Sequence, residues 1–244
     1  MTVHNFRLRL EYDGTEFRGW QIQPEGRTVQ GVLEAAIAQV TGETVRVQAA
    51  GRTDTGVHAL DQVVNFDYAG DRSPEELSRS LNGVLPSDVT VRAADIAPPG
   101  FHARFDARLR AYEYRLSSRR RAVGRPYTWW VRADLDLEEM NQAAGVLLGR
   151  HDFTSFCVSA EERESRVCEV TLCRWHAPDD DTLVFDIEAN RFVRAMVRSI
   201  VGTLVDVGRG KNEPSIASIL AARDRSQASP TAPPTGLFLK RVDY

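Results

Sequence analysis

Several short stretches of the chain alternate apolar and polar residues, which is the pattern of a half-buried β-strand. In the first of them, Phe6, Leu8 and Leu10 fall on one side and charged residues fall on the other. Strands are predicted at residues 6–12, 45–49, 62–68, 89–93, 107–117, 170–176, 182–188 and 237–242. The run Pro178-Asp179-Asp180-Asp181 between two of these strands predicts a hairpin turn.

Other stretches repeat apolar residues every three or four positions and carry helix-capping residues. Thr28 is suited to cap a helix that Gly42 ends, and Ser73-Pro74-Glu75-Glu76 is a capping box with proline at the first helical position. Asp136 caps a helix predicted to run to Leu148, with Gly149 as its stop. Two more helices are predicted at residues 191–207 and 214–222.

The order of these elements in the first half is β-α-β-β-α-β, the ferredoxin-like split unit. The second half repeats this order loosely. The pattern therefore predicts an α+β fold of two ferredoxin-like lobes related by an approximate duplication, covering residues 1–104 and 105–244. A cleft between two such lobes is a natural place for a substrate.

Composition narrows the class of protein. The hydrophobic fraction is 42%, and no apolar run reaches the roughly 18 residues that suggest a membrane span. The segment Met1 to Phe6 lacks the charged and apolar regions of a signal peptide, so we expect a cytoplasmic protein. The three cysteines are irregularly spaced and form no C-x-x-C pair, which predicts reduced, buried thiols and neither a disulfide framework nor a zinc site.

Charge is distributed unevenly. The formal net charge is -3, yet eight arginines and only two acids lie between Arg104 and Arg125. Guanidinium groups match phosphate oxygens and stack on bases, so this basic strip suits RNA. A solvated edge of a sheet explains it equally well at this stage.

The segment Gly51-Arg52-Thr53-Asp54-Thr55-Gly56-Val57-His58-Ala59 has the densest candidate chemistry, because it joins two predicted strands with an acid, a base, an imidazole and two hydroxyls. A hydrogen-bonded polar turn is the ordinary interpretation. The triplet Asp54-Thr55-Gly56 also fits an aspartic protease, whose chemistry needs two carboxylates. Only one D-T-G is present, so the second aspartate would come from another chain.

Two further segments stand out. Residues 11–21, which include Asp13-Gly14 and Trp20, contain no obvious nucleophile or ligand set and suggest a turn with core aromatics. On a helix from Arg191, the residues Arg191, Arg194 and Arg198 would share one face. That face is either solvated, or it presents one arginine to a carboxylate and the others to phosphate.

The sequence closely resembles the TruA-type tRNA pseudouridine synthases along nearly its whole length. The most specific match is the nine-residue G-R-T-D-x-G-V-H-A at 51–59, which is intact, and Y-D-G-x-x-F-x-G-W-Q occurs at 12–21. The remaining matches are Phe101-His102-Ala103-Arg104-Phe105, Tyr112, Tyr114, Asp152 to Cys157, Ala189 to Val193, Met196-Val197-Arg198 and Gly236-Leu237-Phe238-Leu239.

The resemblance implies a homodimer that acts on uridines at positions 38 to 40 of the tRNA anticodon stem-loop, with no role for DNA or a membrane. It makes Asp54 the catalytic aspartate and Tyr112 the aromatic residue that packs on the target base. It makes Arg198 the cation paired with Asp54, and Arg52 a contact to the displaced nucleotide. The isomerisation consumes no electrons, water or phosphate, so neither a cofactor nor a metal is expected. The alternative is an RNA-binding module without activity. Loss of the Asp54 carboxylate would distinguish such a module from a synthase.

Overall fold

The computed structural model describes residues 3–158 and 165–244 of the 244-residue chain. The fold is mixed α+β, as the sequence predicts. The chain divides into two compact units, the first made of Met1–Arg108 and Leu239–Tyr244 and the second of Leu109–Phe238.

The first unit has the element order predicted from its sequence. Its elements are β1 (His4–Tyr12), α1 (Val29–Thr41), β2 (Gln48–Ala49), β3 (His58–Tyr68), α2 (Pro74–Val84) and β4 (Val89–Ile96). Strand β1 is central and antiparallel to both β4 and β3, while the short β2 pairs with β3. Alternate residues of β1 are buried, with Phe6 opposite Phe66 and Leu8 opposite Val64, so the alternating pattern does identify the core face.

Both helices of this unit begin where the capping residues predict. The Thr28 hydroxyl accepts a hydrogen bond from the Gly31 amide, and Gly42 ends α1 in the left-handed conformation, with φ 76°. Ser73 and Glu76 form the reciprocal capping box of α2, whose residues Leu77 and Leu81 are fully buried.

Among its described residues, the second unit contains three longer strands, two short strands and three helices. Its elements are β5 (Leu109–Ser117), β6 (Trp129–Trp130), α3 (Leu137–Gly145), β7 (Gly149–Asp152), β8 (Val167–Asp179), β9 (Thr182–Ala189), α4 (Met196–Gly208) and α5 (Ile216–Ala222), followed by β10 (Leu237–Asp243), which continues into the first unit. The strand order is β5-β9-β8-β7 with antiparallel neighbours, and β6 runs parallel to β5. The predicted hairpin is formed by β8 and β9.

The predicted helix at 191–207 is wrong at its start, because α4 begins only at Met196. Ala195 has φ 58°, in the left-handed region that a residue inside a right-handed helix does not adopt. Arg191 and Arg194 therefore lie outside the helix, and the predicted face of three arginines does not exist. Arg198 is on the first turn of α4, most of whose other residues are buried.

The predicted end of the helix after Asp136 is also wrong. Asp136 caps α3 as predicted, but the helix ends at Gly145, and Gly149 opens strand β7 with φ 93°. Strand β2 is shorter than predicted, and the two short strands β6 and β7 have no counterpart in the predicted elements. With two and four residues, β6 and β7 are too short for a period of apolar and polar residues to be recognised.

The described helices lack the combination of length and apolar character that crossing a bilayer requires. Cys157, Cys168 and Cys173 are free and buried, which confirms the prediction that their thiols are buried. Burial raises the pKa of the Cys168 thiol to about 11, so this thiol is protonated at neutral pH.

Candidate active site

The loop 51–57 connects β2 to β3 and carries Arg52 and Asp54. The Val57 amide donates to the Asp54 carbonyl at 3.1 Å, which closes a tight turn, and Gly56 within this turn has φ 76°. Thr53, Gly56 and Val57 are buried, whereas Arg52 is exposed and Asp54 is half-buried. The loop therefore anchors itself through its backbone and small residues while the two charged side chains stay accessible.

The segment 12–21 supports this loop through backbone hydrogen bonds. The Trp20 amide donates to the Thr53 carbonyl at 3.0 Å, and the Gly56 amide donates to the Phe17 carbonyl at 3.2 Å. These bonds attach both ends of the Asp54 turn to the same neighbouring segment. The sequence of 12–21 suggested only a turn with core aromatics. It did not indicate that this segment supports the loop.

Two glycines make this close approach possible. A Cβ at Gly14 would lie 2.0 Å from the Val57 carbonyl oxygen. A Cβ at Gly19 would lie 2.8 Å from the Thr53 carbonyl oxygen, and Gly19 also has φ 83°. Any side chain at either position would push the segment away from the loop. The spacing of these glycines within one motif is the signal in the sequence that indicates a close backbone contact.

A buried polar cluster holds the loop from β1 and β3. The hydroxyl groups of Tyr12 and Thr53 lie 2.8 Å apart, and the Gln62 side-chain amide donates to the Gly51 carbonyl at 2.8 Å and to the Tyr12 hydroxyl at 3.4 Å. Burial raises the pKa of Tyr12 to about 12, although the hydrogen bonds with Thr53 and Gln62 oppose the rise. Tyr12 is therefore a neutral phenol that positions the loop.

His58 is fixed at the start of β3, directly after the loop. Its side chain is buried, its Nδ1 accepts a hydrogen bond from the Gly14 amide at 3.0 Å, and Nδ1 lies 3.1 Å from an Asp13 carboxylate oxygen. A buried imidazole with these contacts joins the loop to segment 12–21 a third time. Its place in the intact 51–59 motif is thus explained by support of the loop.

Tyr112 and Arg198, the other two predicted site residues, belong to the second unit. Tyr112 lies on β5 opposite Ile187 of β9, and its side chain is buried. Its ring makes an edge contact with the ring of Phe192, with the centroids 5.1 Å apart. The contact fixes the plane of the tyrosine ring, which an aromatic residue needs if it is to pack on a base.

Arg198 is anchored to the segment that precedes β10. Its Nε donates to the Ala232 carbonyl at 2.8 Å, and the Ala232 amide donates to the Arg198 carbonyl at 3.0 Å. Burial raises the pKa of Tyr114, on the neighbouring strand β5, and the positive charge of Arg198 partly offsets this rise. Arg198 is thus a charged group whose guanidinium plane is set by the backbone.

Residues 3–158 and 165–244 contain no group of three or more His, Cys, Asp or Glu side chains that could hold an ion. The predicted site residues supply one carboxylate, two guanidinium groups and one phenol. Asp54 and Arg52 lie on a loop of the first unit, and Tyr112 and Arg198 lie on β5 and α4 of the second.

Comparison with known proteins gives consistent matches over the whole chain. The model of the tRNA pseudouridine synthase family matches residues 10–106 and 143–244. The tRNA pseudouridine synthase A of Halalkalibacterium halodurans is 45% identical over 239 residues, which cover 96% of this chain and 90% of that protein. The proteins of the same name from Bacteroides fragilis and Listeria monocytogenes are 39% and 41% identical, with at least 98% of each chain covered. The chain therefore belongs to the tRNA pseudouridine synthase family and isomerises uridine to pseudouridine in tRNA.

Proposed function

We propose that this synthase modifies uridines at positions 38 to 40 of the anticodon stem-loop, and that Asp54 is its catalytic carboxylate. The observation that carries the assignment of Asp54 is its setting. It is a half-buried acid on a turn whose backbone is bonded at Thr53 and at Gly56 to segment 12–21. A carboxylate held in this way needs little reorganisation when it meets a substrate.

The reaction requires no other reagent. The bond from C1′ to N1 of uridine breaks, the uracil turns, and C1′ joins C5, while the proton leaves C5 and N1 gains one. An ionised carboxylate can act as a nucleophile or stabilise a developing oxocarbenium centre. Neither a cofactor nor a metal belongs to the proposal, because no electrons, water or phosphate are consumed.

The other three site residues are proposed to bind the substrate. A base inside a stem or a stacked loop must be flipped out, at a free-energy cost of roughly a few kcal/mol. Stacking of the flipped base on Tyr112 would offset part of this cost, and the exposed side chain of Arg52 could occupy the space that the base leaves. Arg198, whose guanidinium is oriented by Ala232, is proposed as a cation that favours the negative charge of the site.

We also propose two structural features that the resemblance implies. They are two ferredoxin-like lobes related by duplication, covering 1–104 and 105–244, and a homodimer. The β-α-β-β-α-β order of the first unit supports the first of these. Since tRNA is the substrate, the proposal places the enzyme in the cytoplasm and gives DNA and membranes no part. The aspartic-protease interpretation is set aside, because family membership now explains the D-T-G triplet.

Replacement of Asp54 by asparagine tests the central assignment. The variant keeps the size of the side chain and loses its negative charge. Tritium release from tRNA labelled at C5 of uridine should fall below detection, while the affinity for tRNA should stay within about threefold of wild type. Asp71→Asn is the control, because Asp71 is exposed and lies outside the loop. Normal turnover by Asp54→Asn would refute the assignment of the catalytic carboxylate.

Pseudouridine mapping tests the target positions. In tRNA from cells that lack this protein, pseudouridine should be missing at positions 38 to 40, and re-expression of the wild-type chain should restore it. Expression of Asp54→Asn should fail to restore it. Loss of pseudouridine outside the anticodon stem-loop, with these positions intact, would assign a different target to the same reaction.

A further inference from the structure

The structure divides the arginine strip at 104–125 into side chains already used within the fold and side chains that are not. The Arg110 guanidinium donates to the Asn190 carbonyl at 2.8 Å, Arg115 pairs with Glu113, and Arg119 pairs with Asp181 at 2.8 Å. These three arginines are committed to contacts within the second unit. The local excess of positive charge in the sequence is therefore not all available to a ligand.

The other three arginines of the strip that belong to the second unit, Arg120, Arg121 and Arg125, line one pocket, which we call the Arg120 pocket. It is a pocket of about 180 Å³ that is open to solvent, and its lining consists of Arg120, Arg121, Arg125, Thr128 and Trp130. Within the part of the chain that the structure describes, no Asp or Glu lines it, and neither Arg120 nor Arg125 forms an ion pair. Three guanidinium groups thus face a small space, and only that of Arg121 has a carboxylate partner, Asp179, which lies outside the lining.

Local hydrogen bonds build this pocket before any ligand arrives. Arg121 donates through Nε to the Ser117 hydroxyl at 3.0 Å and through Nη2 to the Thr182 hydroxyl at 2.9 Å, while Asp179 lies 3.8 Å from Nη2. Trp130 is held in β6, where it pairs with Ser117 of β5. The central guanidinium and the indole therefore have fixed positions, and the two exposed arginines flank them.

The size and chemistry of the Arg120 pocket favour a phosphate group. Pockets for cofactors and other small molecules usually have volumes of about 300–1,000 Å³, so this one is too small for a nucleotide cofactor. Guanidinium groups bind phosphate oxygens through paired hydrogen bonds. The Trp130 side chain is 43% exposed, which leaves an indole surface beside the arginines for a base or a ribose.

We propose that the Arg120 pocket binds a backbone phosphate of the tRNA substrate and that Trp130 packs on the adjoining nucleotide. The proposal rests on the tRNA substrate of the family and not on the role of Asp54. The family model leaves residues 107–142 unmatched, and all five lining residues lie in this stretch. The contact adds to the affinity of this chain for tRNA.

The test measures tRNA affinity as a function of salt concentration for the double variant Arg120→Gln/Arg125→Gln. Neither side chain has an ion pair in the described structure, so its removal should leave the fold intact. Because the pocket is proposed to hold one phosphate, loss of this contact should reduce the steepness of log affinity against log salt by about 1. The dissociation constant should rise on the order of tenfold. The single-turnover rate at saturating tRNA should not change, because the pocket takes no part in the chemistry.

The matched control is Arg79→Gln/Arg174→Gln, which removes the same charge from exposed positions on α2 and β8. It should change the affinity less than twofold. Equal losses in both double variants would overturn the proposal in favour of a general effect of charge. Unchanged tRNA affinity in Arg120→Gln/Arg125→Gln would also overturn it. So would an altered sedimentation coefficient with unchanged tRNA affinity, because the pocket would then bind a protein carboxylate.

Trp130→Ala tests the stacking part separately. Removing an aromatic ring from a stacked base should weaken tRNA binding by at least about fivefold and leave the salt slope unchanged, since no charge is removed. Thermal unfolding of the variant should show that its fold is intact. Wild-type affinity in a folded Trp130→Ala variant would limit the ligand contact to the arginines and overturn the proposed nucleotide packing.

Discussion

The hydroxyl groups of Tyr12 and Thr53 lie 2.8 Å apart in the interior of the first unit, where both side chains are at least 94% buried. Thr53 directly precedes Asp54, so this contact links the candidate catalytic loop to the end of β1. Gln62 of β3 bonds to the same tyrosine and to the Gly51 carbonyl. The position of Asp54 is therefore supported by buried side chains of β1 and β3.

Tyr12→Phe should lower both stability and turnover. The change leaves Thr53 without its buried partner, which should lower the free energy of unfolding by about 1–3 kcal/mol. Because the loop carrying Asp54 is then less well positioned, kcat should fall while the affinity for tRNA is retained. Urea unfolding and tritium-release kinetics measure the two effects. Tyr68→Phe is the control, since the Tyr68 hydroxyl has no hydrogen bond among the described residues; equal effects in both variants would contradict the role of the cluster.

Gly14→Ala and Gly83→Ala should have opposite effects. A Cβ at Gly14 meets the Val57 carbonyl at 2.0 Å, so the variant must displace the backbone and should lose about 1–3 kcal/mol of stability and most of its activity. Gly83 lies in helix α2 with open space around its Cβ position, and alanine there should add about 0.5–1 kcal/mol. Thermal unfolding compares the two. A Gly14→Ala enzyme with normal stability and turnover would show that the loop does not need this close approach.

The sequence was most informative where the signal is local. Alternation identified β1, and the capping residues Thr28 and Ser73 identified the starts of α1 and α2. These features depend on neighbours within a few positions. The intact motif at 51–59 likewise identified the candidate loop, although the roles of its residues come from the resemblance alone.

The errors arose where backbone conformation or distant contacts decide the structure. Apolar periodicity extends across 191–207, but the left-handed Ala195 breaks it, and no residue type at that position reveals this. The support of the Asp54 loop by segment 12–21 joins residues about forty positions apart. The hydrogen bonds from Trp20 and Gly56 involve only backbone groups, which every sequence has. Contacts of this kind become visible only when the chain is folded.

Asp152→Asn should destabilise the protein in a pH-dependent way. Burial alone would raise the pKa of Asp152, but hydrogen bonds from the Thr154 amide and hydroxyl and the charge of Arg223 outweigh it, so the pKa is lowered. A lowered pKa in the folded state stabilises the protein above the pKa of the unfolded carboxyl, about 3.9, and this stability is lost as the pH falls through the folded value. The variant should lose up to about 1 kcal/mol at pH 7, because it loses the negative charge that pairs with Arg223.

Urea unfolding at pH 7, pH 5 and the lowest pH at which the protein stays folded checks this prediction. The difference between wild type and Asp152→Asn should be constant from pH 7 to pH 5 and should shrink at lower pH. Asp71→Asn, at an exposed position, should show no such dependence. A difference that grows on acidification would mean that the folded state does not favour the ionised form of Asp152.

Arg198→Lys separates the charge of Arg198 from the geometry of its guanidinium group. Lysine keeps the positive charge, but it has no Nε–H with which to donate to the Ala232 carbonyl at 2.8 Å. If the proposed role needs an oriented guanidinium, kcat should fall on the order of a hundredfold, as when one preorganised donor is removed from an active site. Affinity for tRNA should stay within about twofold, because the number of charges is unchanged.

Arg209→Lys is the matched control for this substitution, because Arg209 caps the other end of α4 and pairs with Asp206 at 3.2 Å. It makes the same chemical change on the same helix and should leave kcat and stability nearly unaltered. Circular dichroism and thermal unfolding of Arg198→Lys should match wild type within a few degrees, so that a loss of kcat reports on the site. Full turnover in a folded Arg198→Lys enzyme would reduce the role of this residue to that of a positive charge.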